Sequence, residues 1–249
     1  MTTNNPISWR FIPLMVASGK LQMAIDAWLL QQHLQENHPP TLRFYRFDPV
    51  AISLGSLQRN YPPHWDTLQW QNQPIDLVCR PTGGRGVLHS GDLCYSIITS
   101  NIKGKRSEIY QYLCEFLIQG WRTFGLDLFY GKAGRGYIHN ASCFGTATNA
   151  DLVDSWGNKF IGSALRCSGK GILQQGSIQL ATDPNLFKTV FSEIAPKPQF
   201  SGSLDDPTFL ETAIATLTEA ACQCFNIEFF SKPLSNDELT LIRDFKEQS

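Results

Sequence analysis

The stretch Arg80-Pro-Thr-Gly-Gly-Arg-Gly-Val-Leu-His-Ser-Gly-Asp-Leu-Cys-Tyr-Ser96 decides how the rest of the chain is read. Ile75-Asp-Leu-Val-Cys79 runs into it and Leu93 to Thr99 continues it, two short apolar runs that predict buried strands. Between them Gly83, Gly84 and Gly86 stand beside Arg80 and Arg85, so main-chain amides can approach a ligand closely next to fixed positive charge. Such a loop suits an anionic or strongly polar ligand. No Gly-Lys-Ser/Thr follows, which excludes a Walker loop, and the second element reads as strand rather than helix, which excludes a dinucleotide fingerprint. The same residues also read as a glycine-rich hairpin with solvated arginines.

Outward from that loop, composition sets the bounds. A chain of 249 residues with 42% hydrophobic content can bury a substantial core, and one domain is expected. The net charge of −1 and the absence of a long basic run argue against nucleic acid as the main partner. Nowhere do about 18 apolar residues run together, and Met1 to Trp9 has no basic region leading into an apolar core, so a cytoplasmic protein with no membrane partner is expected. Seven cysteines, Cys79, Cys94, Cys114, Cys143, Cys167, Cys222 and Cys224, fit neither a disulfide framework nor a zinc ribbon, and no metal site is expected. Most are read as small core hydrophobes. Cys143 differs, since it lies between small polar residues just before Phe144-Gly145, a loop-like context that core packing explains least. A nucleophilic role there requires exposure and a positive environment.

In chain order, Leu21, Ile25, Trp28 and Leu29 put an apolar stripe on a helix that starts at Ser18-Gly19 and reaches Leu34. Thr41 to Phe47 and Ala51 to Gln58 read as strands. Asn101 to Arg106 reads as a solvated basic turn that could also meet an acidic carrier protein, and Ser107 as the cap of a helix carrying Ile109, Tyr112, Leu113, Phe116, Leu117, Trp121 and Phe124. Leu126 to Tyr130 predicts a strand, and a glycine-rich link from Gly131 to Gly136 leads towards Cys143. Asp151 to Asp154 and Asn158 to Arg166 read as a hairpin turned at Gly157-Asn158, with Lys159 at the start of its second strand, where a lysine ordinarily faces solvent. Gly171 to Leu180 continues the sheet. Helix follows from Asp183, a polar link covers Pro196 to Ser203, a helix opens at Asp205-Asp206-Pro207, and Ser235-Asn-Asp-Glu238 caps a last helix to about Lys246.

The opening stretch closely resembles the Arg-Pro-Thr-Gly-Gly-Arg-Ala-Val-Leu-His signature of LipM-type octanoyltransferases, within the lipoate-protein ligase A family, with Gly86 in place of alanine. Leu42-Arg-Phe-Tyr-Arg46 and Ser53 to Gln58, Lys159-Phe-Ile-Gly-Ser-Ala-Leu-Arg166 and Gly171-Ile-Leu-Gln-Gln-Gly-Ser-Ile178 resemble three further motifs of that family. Two departures stand out. Gln175 occupies the usual histidine position, and Cys143-Phe-Gly-Thr-Ala147 stands where the family carries Cys-Phe-Asp-Ala-Pro.

The resemblance implies an α/β (α+β) fold, a single biotin/lipoate protein ligase-type catalytic domain over residues 1–249, with mixed sheets flanked by helices and C-terminal helices over about 205–247. It implies an octanoyltransferase in protein lipoylation, with Cys143 as nucleophile and Lys159 as its charged helper. Arg46, Arg80, Thr82, Gly83, Gly84, Arg85, Gly86, His89, Gly162, Ser163, Ala164, Gln175 and Gly176 would bind the substrate. His89 and His139 are the candidate bases. Octanoyl acyl carrier protein would be the donor, and a lipoyl-domain protein, the glycine cleavage H protein or a 2-oxoacid dehydrogenase E2, the acceptor. No cofactor is expected on that reading. The alternatives are an ATP- and magnesium-dependent lipoate-protein ligase, an amidotransferase between lipoyl proteins, and a non-catalytic binding protein of the same fold.

Overall fold

The computed structural model describes residues 7–35, 38–131, 151–197, 200, 204 and 206–245. The strands are β1 Ile7–Ala17, β2 Thr41–Phe47, β3 Ala51–Leu54, β4 Gln69–Trp70, β5 Gln73–Pro74, β6 Asp76–Cys79, β7 Val87–His89, β8 Asp92–Ser100, β9 Phe129–Tyr130, β10 Asp151–Val153, β11 Lys159–Ser168, β12 Gly171–Gln179 and β13 Ile227–Ser231. The α-helices are α1 Gly19–Leu34, α2 Arg106–Arg122, α3 Pro184–Phe191, α4 Pro207–Phe225 and α5 Asn236–Asp244. A large mixed sheet runs β13-β1-β2-β8-β12-β11-β10-β9, with β13, β1 and β2 parallel and the remainder antiparallel. A smaller sheet, β6-β3-β7, stands beside it, and β4 and β5 form a short hairpin.

Alternation along β8 explains why helices lie on both faces of the large sheet. Leu93, Tyr95 and Ile97 pack into one cluster with Leu113, Phe116 and Trp121 of α2 and Leu210 and Leu217 of α4. Ile98 points the other way, with Leu173, onto Ile25, Trp28 and Leu29 of α1 and Ile242 of α5. A strand buried on both faces reads as a continuous apolar run, which is how this one was predicted. The smaller sheet has its own cluster, in which Ile52, Leu54 and Leu88 meet Leu186, Phe187 and Val190 of α3. Among the described residues no helix is long and apolar enough to cross a membrane.

Several boundaries move for local reasons. Lys105, not Ser107, caps α2, because the Glu108 carboxylate accepts from the Lys105 backbone N–H at 2.7 Å. Ser18 caps α1, Asp206 caps α4, and Ser235 with Glu238 forms the expected capping box of α5. β6 is half-buried rather than buried and ends in the exposed Cys79. Of the six described cysteines only Cys94 and Cys114 are buried, so the core reading holds for those two and fails for Cys79 and Cys167, both exposed. Tyr112 lies on the exposed side of α2, 43% accessible. The expected polar link falls largely outside the described residues, as do the glycine-rich link beyond Gly131, His139 and Cys143.

Candidate active site

A cleft of about 570 Å³, mouth included, opens where the glycine-rich loop and the small sheet face β11 and β12 of the large one. Arg80 and Gly84 come from the loop, Ser53 from β3, Val87 and His89 from β7, Met23 from α1 and Asp151 from β10. The opposite wall is Gly162, Ser163 and Ala164 of β11 with Gln175, Gly176 and Ser177 of β12. Small residues keep that wall low. A Cβ on Gly176 would sit 2.2 Å from the Tyr95 ring, so glycine is required for β12 to pass it. An outer cleft shares Gly84, Ser163 and Ala164 and widens between Gly83, Arg106 and Tyr110.

The loop owes its shape to Arg80. Its guanidinium is buried and donates to the carbonyls of Ser53 at 2.7 Å, Gly83 at 2.8 Å and Arg85 at 2.8 Å. Gly84 takes a left-handed backbone, φ 101°, and a Cβ there would meet Arg80 Nη2 at 2.7 Å. Arg80 therefore touches the cleft as the brace of its own loop. The charge near a ligand expected from sequence is present, with its donors directed at three main-chain carbonyls and at Ser53 Oγ.

Gln175 ties this loop to the large sheet. Thr82 Oγ1 donates to Gln175 Oε1 at 2.7 Å, and Gln175 Nε2 donates to Asp26 Oδ2 at 2.6 Å. Asp26 in turn accepts from Arg43 Nε at 2.7 Å and Ser96 Oγ at 2.7 Å, and Arg43 Nη1 donates to Gln22 Oε1 at 2.9 Å. All of these side chains are buried, so each hydrogen bond spares a desolvated polar group. An amide suits the position because it donates to a carboxylate and accepts from a hydroxyl without titrating. The departure from histidine thus leaves a connected network.

His89 forms a second chain. Nδ1 is 2.8 Å from Asp92 Oδ2, Nε2 is 2.8 Å from Ser53 Oγ, and Phe47 stacks on the ring at 3.9 Å. Burial by itself would raise the Asp92 carboxyl, but the charge and hydrogen bond of His89, with Ser177 and Cys94 also donating, hold it below its usual range. Burial and the Asp92 charge push the Cys94 thiol well above its ordinary value, so Cys94 stays a neutral donor. His89, Asp92 and Cys94 could bring three ligand atoms within 4.8 Å, but those atoms are already spent on one another.

Lys159 does not face solvent, as a lysine at such a position ordinarily would. It is 3% exposed, and its Nζ lies 2.8 Å from Asp151 Oδ1, itself on the cleft wall. β10 and β11 pair antiparallel across the Gly157 turn, φ 84°, which brings the two residues together. The pair delivers a fixed ammonium to the edge of the cleft.

Of the residues expected from sequence, Arg80, Gly84, His89, Gly162, Ser163, Ala164, Gln175 and Gly176 line the cleft, and Gly83 lines its outer part. Arg46, Thr82, Arg85, Gly86 and Lys159 do not line the inner cleft: Thr82 works through Gln175, Lys159 through Asp151, and Arg46 offers its carbonyl to Gln22 Nε2 at 3.0 Å. Met23, Val87, Asp151 and Ser177 were not anticipated. An aspartate opening the short Asp-Leu-Val-Asp strand was the signal for Asp151, whereas Met23 looked like any other position on an apolar helix stripe.

Residues 18–230 match the lipoyl protein ligase A/B catalytic domain, and the chain belongs to that family. It is 34% identical to Octanoyltransferase LipM of Anoxybacillus flavithermus over 194 residues, 74% of this chain and 69% of the relative. Octanoyltransferase LipM of Lysinibacillus sphaericus is 28% identical over 97% of this chain and 95% of its own length. In fold it is similar to a crystal structure of lipoate-protein ligase A bound with ATP, at a TM-score of 0.74 and 19% identity, covering 96% of this chain and 94% of that one.

Proposed function

We propose that this chain is an octanoyltransferase that takes an octanoyl group from acyl carrier protein onto Cys143 and passes it to a lysine of a lipoyl domain. The observation that carries this is the match, over most of both chains, to relatives named Octanoyltransferase LipM. Met23, Val87 and the small residues Gly162 to Ala164 line the cleft and give an acyl chain apolar surface to lie against.

The reaction divides into two acyl transfers. The Cys143 thiolate attacks the donor thioester, the C–S bond to the carrier breaks, and the carrier leaves as a thiol. The acceptor amine then attacks the new thioester, giving an amide and restoring the thiol. Thioester to amide is downhill, so no nucleotide enters. Lys159, held by Asp151, supplies positive charge that favours thiolate and offsets the developing oxyanion. Arg106, which lines the outer cleft, and Lys103 and Lys105 just before it in the chain suit an acidic carrier protein. The acceptors are lipoyl-domain proteins such as the glycine cleavage H protein or a 2-oxoacid dehydrogenase E2, and the reaction belongs to the cytoplasm.

The rival is an ATP-dependent ligase, favoured by the fold likeness to a ligase that binds ATP. Against it, Arg80, a loop cation that could grip a phosphate, directs its hydrogen bonds at Ser53 of β3 and at the Gly83 and Arg85 carbonyls of its own loop. Octanoyl acyl carrier protein and a lipoyl domain, mixed with the protein and no nucleotide, decide between them. Octanoyl amide on the lipoyl domain is the expected result; amide appearing only with ATP and free acid identifies the ligase.

A further inference from the structure

We propose that Ser53, His89 and Asp92 form a second acyl-reactive centre in the cleft, a serine hydrolase triad acting on medium-chain acyl esters and thioesters. The three lie in series. Asp92 Oδ2 is 2.8 Å from His89 Nδ1, and His89 Nε2 is 2.8 Å from Ser53 Oγ. An ionised carboxylate can only accept, so Nδ1 carries a proton, and a neutral imidazole held this way turns a bare Nε2 towards the serine hydroxyl. That is the tautomer in which an imidazole acts as a base towards a hydroxyl.

Three further features make the arrangement reactive in kind. Ser177 Oγ, 2.6 Å from the same Asp92 oxygen, and Phe47, stacked on the imidazole, fix both the acid and the ring. Arg80 Nη1, which donates to the Ser53 carbonyl at 2.7 Å, also stands 3.2 Å from Ser53 Oγ and sets a positive charge beside the attacking oxygen. Ser53 and His89 both line the cleft proposed to take the acyl chain, whereas Asp92 lies behind them, as the orienting member should.

In the reaction Ser53 Oγ attacks the acyl carbonyl and its proton passes to His89 Nε2. The C–S or C–O bond breaks and the leaving thiol or alcohol takes that proton. Water then attacks the acyl-serine, giving its proton to His89, and the ester bond to Ser53 breaks as Oγ regains a proton. Free fatty acid and thiol or alcohol are the products, and no oxidant or cofactor enters.

The location of the acyl cleft rests on the transferase reading, but the chemistry does not need Cys143, and that separates the tests. Wild-type protein and Cys143→Ala are treated with an alkyl fluorophosphonate and digested, and the labelled peptide is located by mass spectrometry. The expected result is an adduct on Ser53 in both, with slow hydrolysis of p-nitrophenyl octanoate by Cys143→Ala that falls on the order of 10³-fold in Cys143→Ala/His89→Gln. Should His89→Gln lose its native circular dichroism, Asp92→Asn reads the same dependence. An unlabelled Ser53 in wild-type protein overturns the proposal, as does labelling that is equally fast without the imidazole. Absence of an octanoyl thioester on Cys143 would instead count against the transferase reading alone.

Discussion

Replacing Asp151 by alanine removes the carboxylate 2.8 Å from the Lys159 ammonium at a site where the two residues are 2% and 3% exposed. Truncating one partner of a buried ion pair takes a close counter-charge from the other in a poorly solvated place, which costs about 3–5 kcal/mol. For a chain of this size each kcal/mol moves the melting temperature by about 2–4 °C, so Asp151→Ala should melt roughly 6–20 °C lower. Urea denaturation followed by tryptophan fluorescence gives the free energy, and calorimetry gives the shift. Removing both charges with Asp151→Leu/Lys159→Met should recover most of the loss, because an apolar pair of similar volume carries no buried charge. Asp151→Ala within about 1 kcal/mol of wild type, or a double variant no better than the single one, would refute the reasoning. Acyl-enzyme formation should fall in both variants, since each loses the fixed ammonium or its orientation.

Other perturbations read other parts of the structure. Gly176→Ala drives a methyl to 2.2 Å from the Tyr95 ring and 2.8 Å from Ser163 Oγ, and should cost about 1–3 kcal/mol in urea denaturation while reducing acyl transfer. Gln175→Leu deprives both the Thr82 hydroxyl and Asp26 of a buried partner and should cost about 1–3 kcal/mol, with a raised KM for the acyl donor as the glycine loop loses its tie to the sheet. Burial alone would raise the Glu238 carboxyl, but hydrogen bonds from Arg10 and the Ser235 backbone hold it at about 2. A depressed carboxyl lends stability above its unfolded value of 4.5 and loses it as pH falls through about 2, so Glu238→Gln should be less stable at neutral pH and converge on wild type across that window. Melting curves from pH 7 to pH 2 test the sign.

The glycine-rich loop, the strands on either side of it and the Gly157 hairpin were legible in sequence because each is local: a run of apolar residues, a positive-φ glycine, a cap. β1 and β13 were not. They pair in parallel from Ile7 with Ile227, more than two hundred residues apart, and β13 is largely exposed, so neither periodicity nor a turn residue announces it. Within the site, the residue types on the cleft wall were legible while their wiring was not. Arg80, expected beside a ligand, lines the cleft while bracing its own loop, and Lys159, at a position where a lysine ordinarily faces solvent, is buried against Asp151. Both outcomes depend on partners that only the folded chain brings near. Ser53, His89 and Asp92 come from β3, β7 and β8, and nothing in their spacing shows that they align.

The central claim is that Cys143 carries the acyl group, and intact-mass measurement after mixing the protein with octanoyl acyl carrier protein, without ATP, tests it most directly. A single octanoyl adduct that hydroxylamine removes, present in wild type and absent from Cys143→Ala, is the predicted result. No adduct in wild type, or the same hydroxylamine-sensitive adduct in Cys143→Ala, would contradict it.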